Sequence, residues 1–189
     1  MRASTNNLII GFLLATPAHA SAPVDPVDRL SVQWADAGYA EAIRAKIVSR
    51  EAAALASAGV TPASRADAIA QSYADCVAPV VKRILATNFR AALSHLSGPD
   101  RQSFLVVDRE YGLDRLFTIA SASRASKLTP DNRQWMERVE RSKVAEHVLP
   151  IAIDLVTQTT LELGKQLQSD PQVGTCQNNI EKELSQPNG

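Results

Sequence analysis

Apolar residues recur at helical spacing along nearly the whole chain. Asp25-Pro26 offers an N-cap followed by proline at the first helical position, and Val27, Leu30 and Trp34 form a stripe behind it that Gly38 is expected to interrupt. Tyr39, Ile43 and Ile47 then lead through an alanine-rich stretch to Leu55, with Gly59 as the terminator. Thr61-Pro62 repeats the cap-then-proline start. The helix it opens places Ile69, Tyr73, Cys76, Val77 and Val80 on one face, which predicts that Cys76 points inward. Pro79 lacks an N–H and crowds the preceding turn, so a kink or break is expected there. Val81, Ile84, Leu85, Phe89 and Leu96 resume the spacing beyond it.

Ser97-Gly98-Pro99-Asp100 has the form of a capping box and begins a helix bearing Phe104, Val107 and Tyr111 that Gly112 ends. Asp114 is the expected cap of a short helix with Phe117 and Ile119, and Ser121 to Lys127 reads as a loop or frayed end. From Thr129-Pro130 one long helix is predicted, carrying Trp135, Val139 and Val148, kinked at Pro150, and continuing through Leu155, Val156, Thr159 and Leu163 to a stop at Ser169-Asp170-Pro171. Cys176, Ile180 and Leu184 stand at i, i+4 and i+8 on a final short helix. No strand-period alternation competes. The pattern predicts an all-α fold: an irregular bundle of six to eight helices, two of them proline-kinked. Residues 74–96 also align without gaps on residues 145–167, matching at Ala, Val, Pro and the final Leu; alanine- and leucine-rich helices align readily, so a duplication stays one of two readings.

Composition supports helix, since only 5 % of the 189 residues are aromatic and alanine is abundant. The 20 basic and 20 acidic residues cancel, so no net field points to nucleic acid or an anionic membrane. The N-terminus changes the picture most. Arg2, the apolar run Leu8 to Ala15 and Ala18-His19-Ala20 have the order of a signal peptide cleaved after Ala20, too short to span a bilayer. The expected organisation is a signal peptide at 1–20, a disordered lead-in at 21–25 and a single helical domain at 26–189, without membrane insertion after cleavage. Periplasmic or secreted localisation follows. In that oxidising compartment Cys76 and Cys176, the two cysteines of the chain, are expected to form a long-range structural disulfide.

Candidate chemistry is sparse. No HExxH, CxxC, GxSxG or phosphate-cradling glycine loop occurs, and beyond the leader only His95 and His147 remain, the latter expected to be partly buried. No metal or other cofactor is expected. Trp34 and Trp135 sit on apolar stripes as core residues, and Asp154 shares a solvated face with Gln158, Glu162 and Lys165. The densest polar cluster is VVDREYGLDRL, residues 106–116, where Asp108, Arg109, Glu110, Asp114 and Arg115 surround a Tyr111-Gly112 turn. It is the candidate binding patch, weighed against ordinary helix-end charges and salt bridges.

The unit ILATNFRAALSHLSGPDRQ, residues 84–102, resembles the Asn-Phe, leucine-rich helix and following polar turn of small periplasmic all-helical proteins in a family of unknown function. The resemblance implies a helical periplasmic domain and brings no catalytic or binding residues. Together these features predict an exported protein that acts non-enzymatically by binding another protein. Its sharper form is an immunity protein that inhibits a secreted antibacterial toxin. The alternatives are a small hydrolase using carboxylates such as Asp108 and Asp114, or a carrier of apolar small molecules in the cell envelope.

Overall fold

The structure, a computed structural model, describes residues 25–121 and 128–185. Eight α-helices run in order: α1 (Pro26–Gly38), α2 (Arg44–Ser57), α3 (Ala63–His95), α4 (Gly98–Tyr111), α5 (Leu116–Ser121), α6 (Pro130–Glu140), α7 (Lys143–Ser169) and α8 (Pro171–Ser185). A π-helical turn at Tyr39–Ile43 joins α1 to α2, a 3₁₀ turn at Leu113–Arg115 precedes α5, and no strand occurs among the described residues. The expected leader at 1–20, nearly all of the lead-in and the serine-rich 122–127 lie outside the described residues.

Helix α3 is the axis. Its 33 residues extend about 50 Å at 1.5 Å per residue. Helices α1, α2, α7 and α8 all pack on it. Along it, Val77, Val80, Val81, Ile84, Leu85, Phe89 and Leu93 enter one core with Leu30, Trp34, Phe104, Phe117, Trp135, Val139, Val148 and Leu163. A smaller cluster of Leu55, Ala66, Ile69 and Ala70, closed by Ile180, occupies the α2 end. Trp34 is the hub of the larger core: its ring centroid lies 5.2 Å from Phe89, 5.3 Å from Phe104 and 5.8 Å from Phe117. Four helices therefore meet on one indole.

Several local expectations are corrected. The first helix ends at Gly38 as expected, but without a turn away from helical backbone, because the chain continues as a π turn that absorbs one extra residue between the Trp34 and Tyr39 stripes. The glycine also serves close packing: a Cβ there would stand 2.9 Å from Phe117 Cε1. Pro62 is itself the N-cap position of α3 and has no side-chain cap, so Thr61 does not cap that helix. Of the kink or break expected at Pro79 the break does not occur, and the helix continues through Pro150 as expected; both prolines sit on exposed faces, where the carbonyl left without its N–H partner can reach water. Ser97 does accept from the Asp100 N–H at 3.2 Å, but its hydroxyl donates to the Asp100 carboxylate, so the return bond of a capping box is absent. The long helix from Thr129 divides at Arg141, and α7 restarts with Ser142 accepting from Ala145 N.

The disulfide is present between Cys76 and Cys176, with Cα atoms 5.9 Å apart. Cys176 is buried but Cys76 is exposed, contrary to the inward position expected of it. The bond covers α3 from outside because α8 packs over that face. Asp170 secures the start of α8, accepting from Gln172 N at 2.9 Å and from Arg83 at 2.7 Å. The aligned segments match in burial at first, with Ala74 and Ala145 both 0 % exposed, then part where buried Phe89 answers exposed Thr160.

Gly38→Ala is expected to destabilise by about 1–3 kcal/mol in urea unfolding, because the added methyl meets Phe117 in a filled core. Replacing both cysteines by serine opens a loop with a sequence separation of 100, and a loss of about 4–5 kcal/mol is expected by the same measurement.

Candidate functional site

The structure disperses the charged turn. Asp108 is buried at 7 % exposure on the inner face of α4, while Arg109 and Glu110 on the next positions are exposed. Its Oδ1 accepts from the Trp34 indole N–H at 2.9 Å and from the Leu113 backbone N–H at 3.2 Å. The second bond caps the 3₁₀ turn, and Asp114, expected to cap the short helix with Phe117 and Ile119, lies inside that turn instead. Gly112 makes the geometry accessible by adopting φ 65°, in the left-handed region glycine tolerates. Burial pushes the Asp108 carboxyl above its ordinary range and neighbouring Asp114 adds to this, against the two hydrogen bonds. Arg115 turns away to pair with Asp131 at 2.9 Å. Trp135 donates to the Tyr111 carbonyl at 2.6 Å and so satisfies the end of α4.

Two of the five nominated residues, Asp108 and Arg109, do share a cavity. A cleft of about 510 Å³ between α1 and α4 is lined by Arg29, Leu30 and Gln33 on one side and by Gln102, Leu105, Asp108 and Arg109 on the other. The α1 residues of this cleft were not nominated from sequence. They sit at i, i+1 and i+4 on a helix whose Trp34 and Leu30 drew attention to the core alone.

A second feature lies on α7. Leu149, Pro150, Ile153 and Thr157 line an open apolar groove bordered by Glu140, Glu146 and Asp154. Ile153 is 47 % exposed and Leu161, two turns further on, is 60 % exposed. Ile153 and Leu161 fall eight positions apart, on a stripe separate from buried Ala152, Leu155, Val156 and Leu163, and half-buried Leu149, which packs against the core, begins that stripe. The excess was legible as an apolar arc wider than one core needs. Asp154, Gln158 and Lys165 are exposed as expected of a solvated face, with Lys165 paired to Glu162 at 2.7 Å, and the apolar stripe runs beside that face.

His147 is exposed, not partly buried. Its Nε2 lies 3.1 Å from Asp100 Oδ1, linking α7 to the start of α4. The Ser97 hydroxyl and then His147 hold the Asp100 carboxyl below its usual range. Among the described residues no three His, Cys, Asp or Glu side chains are grouped to hold a metal ion, and no helix is long and apolar enough to cross a membrane.

No protein-family model, curated protein or solved structure matches this chain. The resemblance of residues 84–102 rests on those residues alone.

Asp108→Asn keeps an oxygen acceptor for Trp34 and Leu113 and removes a charge that burial disfavours. Because the native carboxyl titrates above the unfolded one, its ionisation is a cost present above the native pKa and absent below the unfolded pKa. The variant is therefore expected to match or exceed the parent in stability at neutral pH, with the difference shrinking as pH falls through the native pKa. Asp108→Leu strands both donors and is expected to lose about 1–3 kcal/mol for each. Urea unfolding at a series of pH values separates the two outcomes.

Proposed function

We propose that this is an exported helical protein that acts by binding another protein, without bond-making chemistry of its own, and that the outer face of α7 is its contact surface. The observation that carries the reading is the surplus apolar stripe of α7, with Ile153 and Leu161 among the few large apolar side chains left in water. Glu140, Glu146 and Asp154 border the groove without an ion pair among the described residues. Such a border favours a partner whose apolar contact is edged by lysine or arginine. Within this reading, small size, export and a disulfide strap suit an inhibitor of a toxic enzyme delivered to the periplasm. The hydrolase alternative has less support, because its two carboxylates do not share a cavity: Asp108 lines the α1/α4 cleft and Asp114 is absent from that lining.

The mature, disulfide-intact protein, used as bait in periplasmic and envelope extracts, is expected to retain a stoichiometric protein partner. Ile153→Asp with Leu161→Asp should lose it, each change weakening affinity about tenfold or more, since burying such a side chain contributes about 1.5–3 kcal/mol. Val32→Asp alters an equally exposed apolar residue on α1 and should retain the partner. Recovery of no partner, or equal retention by the α7 double variant, removes the reading.

A further inference from the structure

The negative charge of Asp108 is not explained by the interior that surrounds it. An asparagine would accept from Trp34 and Leu113 through its carbonyl oxygen without the cost of taking a charge out of water. No lysine, arginine or histidine pairs with Asp108 among the described residues, and nearby Asp114 carries the same sign. Its Oδ2 accepts from no described donor. Yet the single buried side-chain polar atom lacking a partner among the described residues is Asn88 Nδ2. The free Asp108 oxygen is therefore not sealed in the core, and Asp108 lines the α1/α4 cleft.

The cleft also holds two unused cations. Arg29 and Arg109 are exposed and line it, and neither has an ion pair among the described residues. A simple amine would meet Asp108 but be repelled by two guanidiniums. A simple carboxylate would meet the guanidiniums and be repelled by Asp108. We propose that the cleft binds a small zwitterion, with its cationic nitrogen on the Asp108 carboxylate at the floor and its own carboxylate on Arg29 and Arg109 at the rim. Leu30 and Leu105 also line the cleft and suit a short carbon chain. The volume of about 510 Å³ lies within the range of about 300–1,000 Å³ in which small-molecule sites fall. This site is separate from the α7 face and stands whether or not that face binds a protein.

The Trp34 indole N–H donates to the same carboxylate, which makes its nitrogen–proton NMR signal a reporter for the floor of the cleft. The disulfide-intact protein would be titrated with γ-aminobutyrate and ε-aminocaproate, and with butylamine and butyrate as the singly charged halves. One of the two zwitterions is expected to shift the Trp34 signal saturably and to bind about tenfold or more tightly than either half. Asp108→Asn should lose that binding while keeping a folded spectrum. Arg29→Ala with Arg109→Ala changes exposed side chains alone, and should erase the preference for the zwitterion over butylamine even if the Asp108 variant does not fold. No saturable shift with either zwitterion, equal binding of butylamine or butyrate, or unchanged binding by the arginine double variant would overturn the proposal.

Discussion

The hydrogen bond from the Trp34 indole to Asp108 Oδ1 is the constraint on which the arrangement of α1, α4 and α5 depends. It joins residues 74 positions apart, at the centre of a core where the Trp34 ring meets Phe89, Phe104 and Phe117. A buried indole N–H without an acceptor is costly, so the position of α4 follows from that of α1. The same carboxylate oxygen takes the Leu113 N–H, which fixes the turn delivering Phe117 into contact with Trp34 and Gly38. One acceptor thus orders α1, α4 and the turn into α5 at once.

The second half of the molecule is held differently. Helices α7 and α8 pack on α3 through apolar side chains, and the Cys76–Cys176 bond fastens α8 across the outside of that axis. Ion pairs such as Arg83 with Asp170 and Arg44 with Asp75 add orientation between helices. Most are exposed, where a pair contributes about 0–1 kcal/mol. Burial and the covalent strap carry the stability, which leaves the outer face of α7 free of structural duty. An apolar stripe on such a face has no core to explain it. That is why α7, and not the charged turn that stands out in the sequence, supports the protein-binding reading.

The charged turn shows how a polar cluster can mislead. Asp108, Arg109, Glu110, Asp114 and Arg115 are neighbours in sequence, yet a helix followed by a left-handed glycine sends them in different directions. Asp108 goes inward, Arg115 crosses to Asp131, and Arg109 opens onto a cleft shared with Arg29. The helical step predicts that residues 108 and 109 differ in direction by about 100°. It does not say which of them meets the core, because that depends on where α1 lies. Gly38 is a related case: α1 ends there, as a glycine in a helical pattern suggests, and only the approach of Phe117 reveals that the residue also makes room.

Periodicity, caps and cysteine count determined by themselves that the described residues fold as an all-α bundle, that Trp34 and Trp135 are core residues, and that Cys76 and Cys176 pair. These are local or nearly forced properties: helical spacing repeats within a few residues, Gly59 and Gly112 mark the ends they were expected to mark, and two cysteines have one possible intramolecular partner each. Tertiary structure alone decided that Asp108 is an interior acceptor, that Cys76 sits outside, and that Arg29 and Arg109 share a cleft with a carboxylate. Each of those is a relation between helices far apart in the chain. Burial and electrostatic environment are set by the residues that arrive from elsewhere, and no local pattern contains their positions.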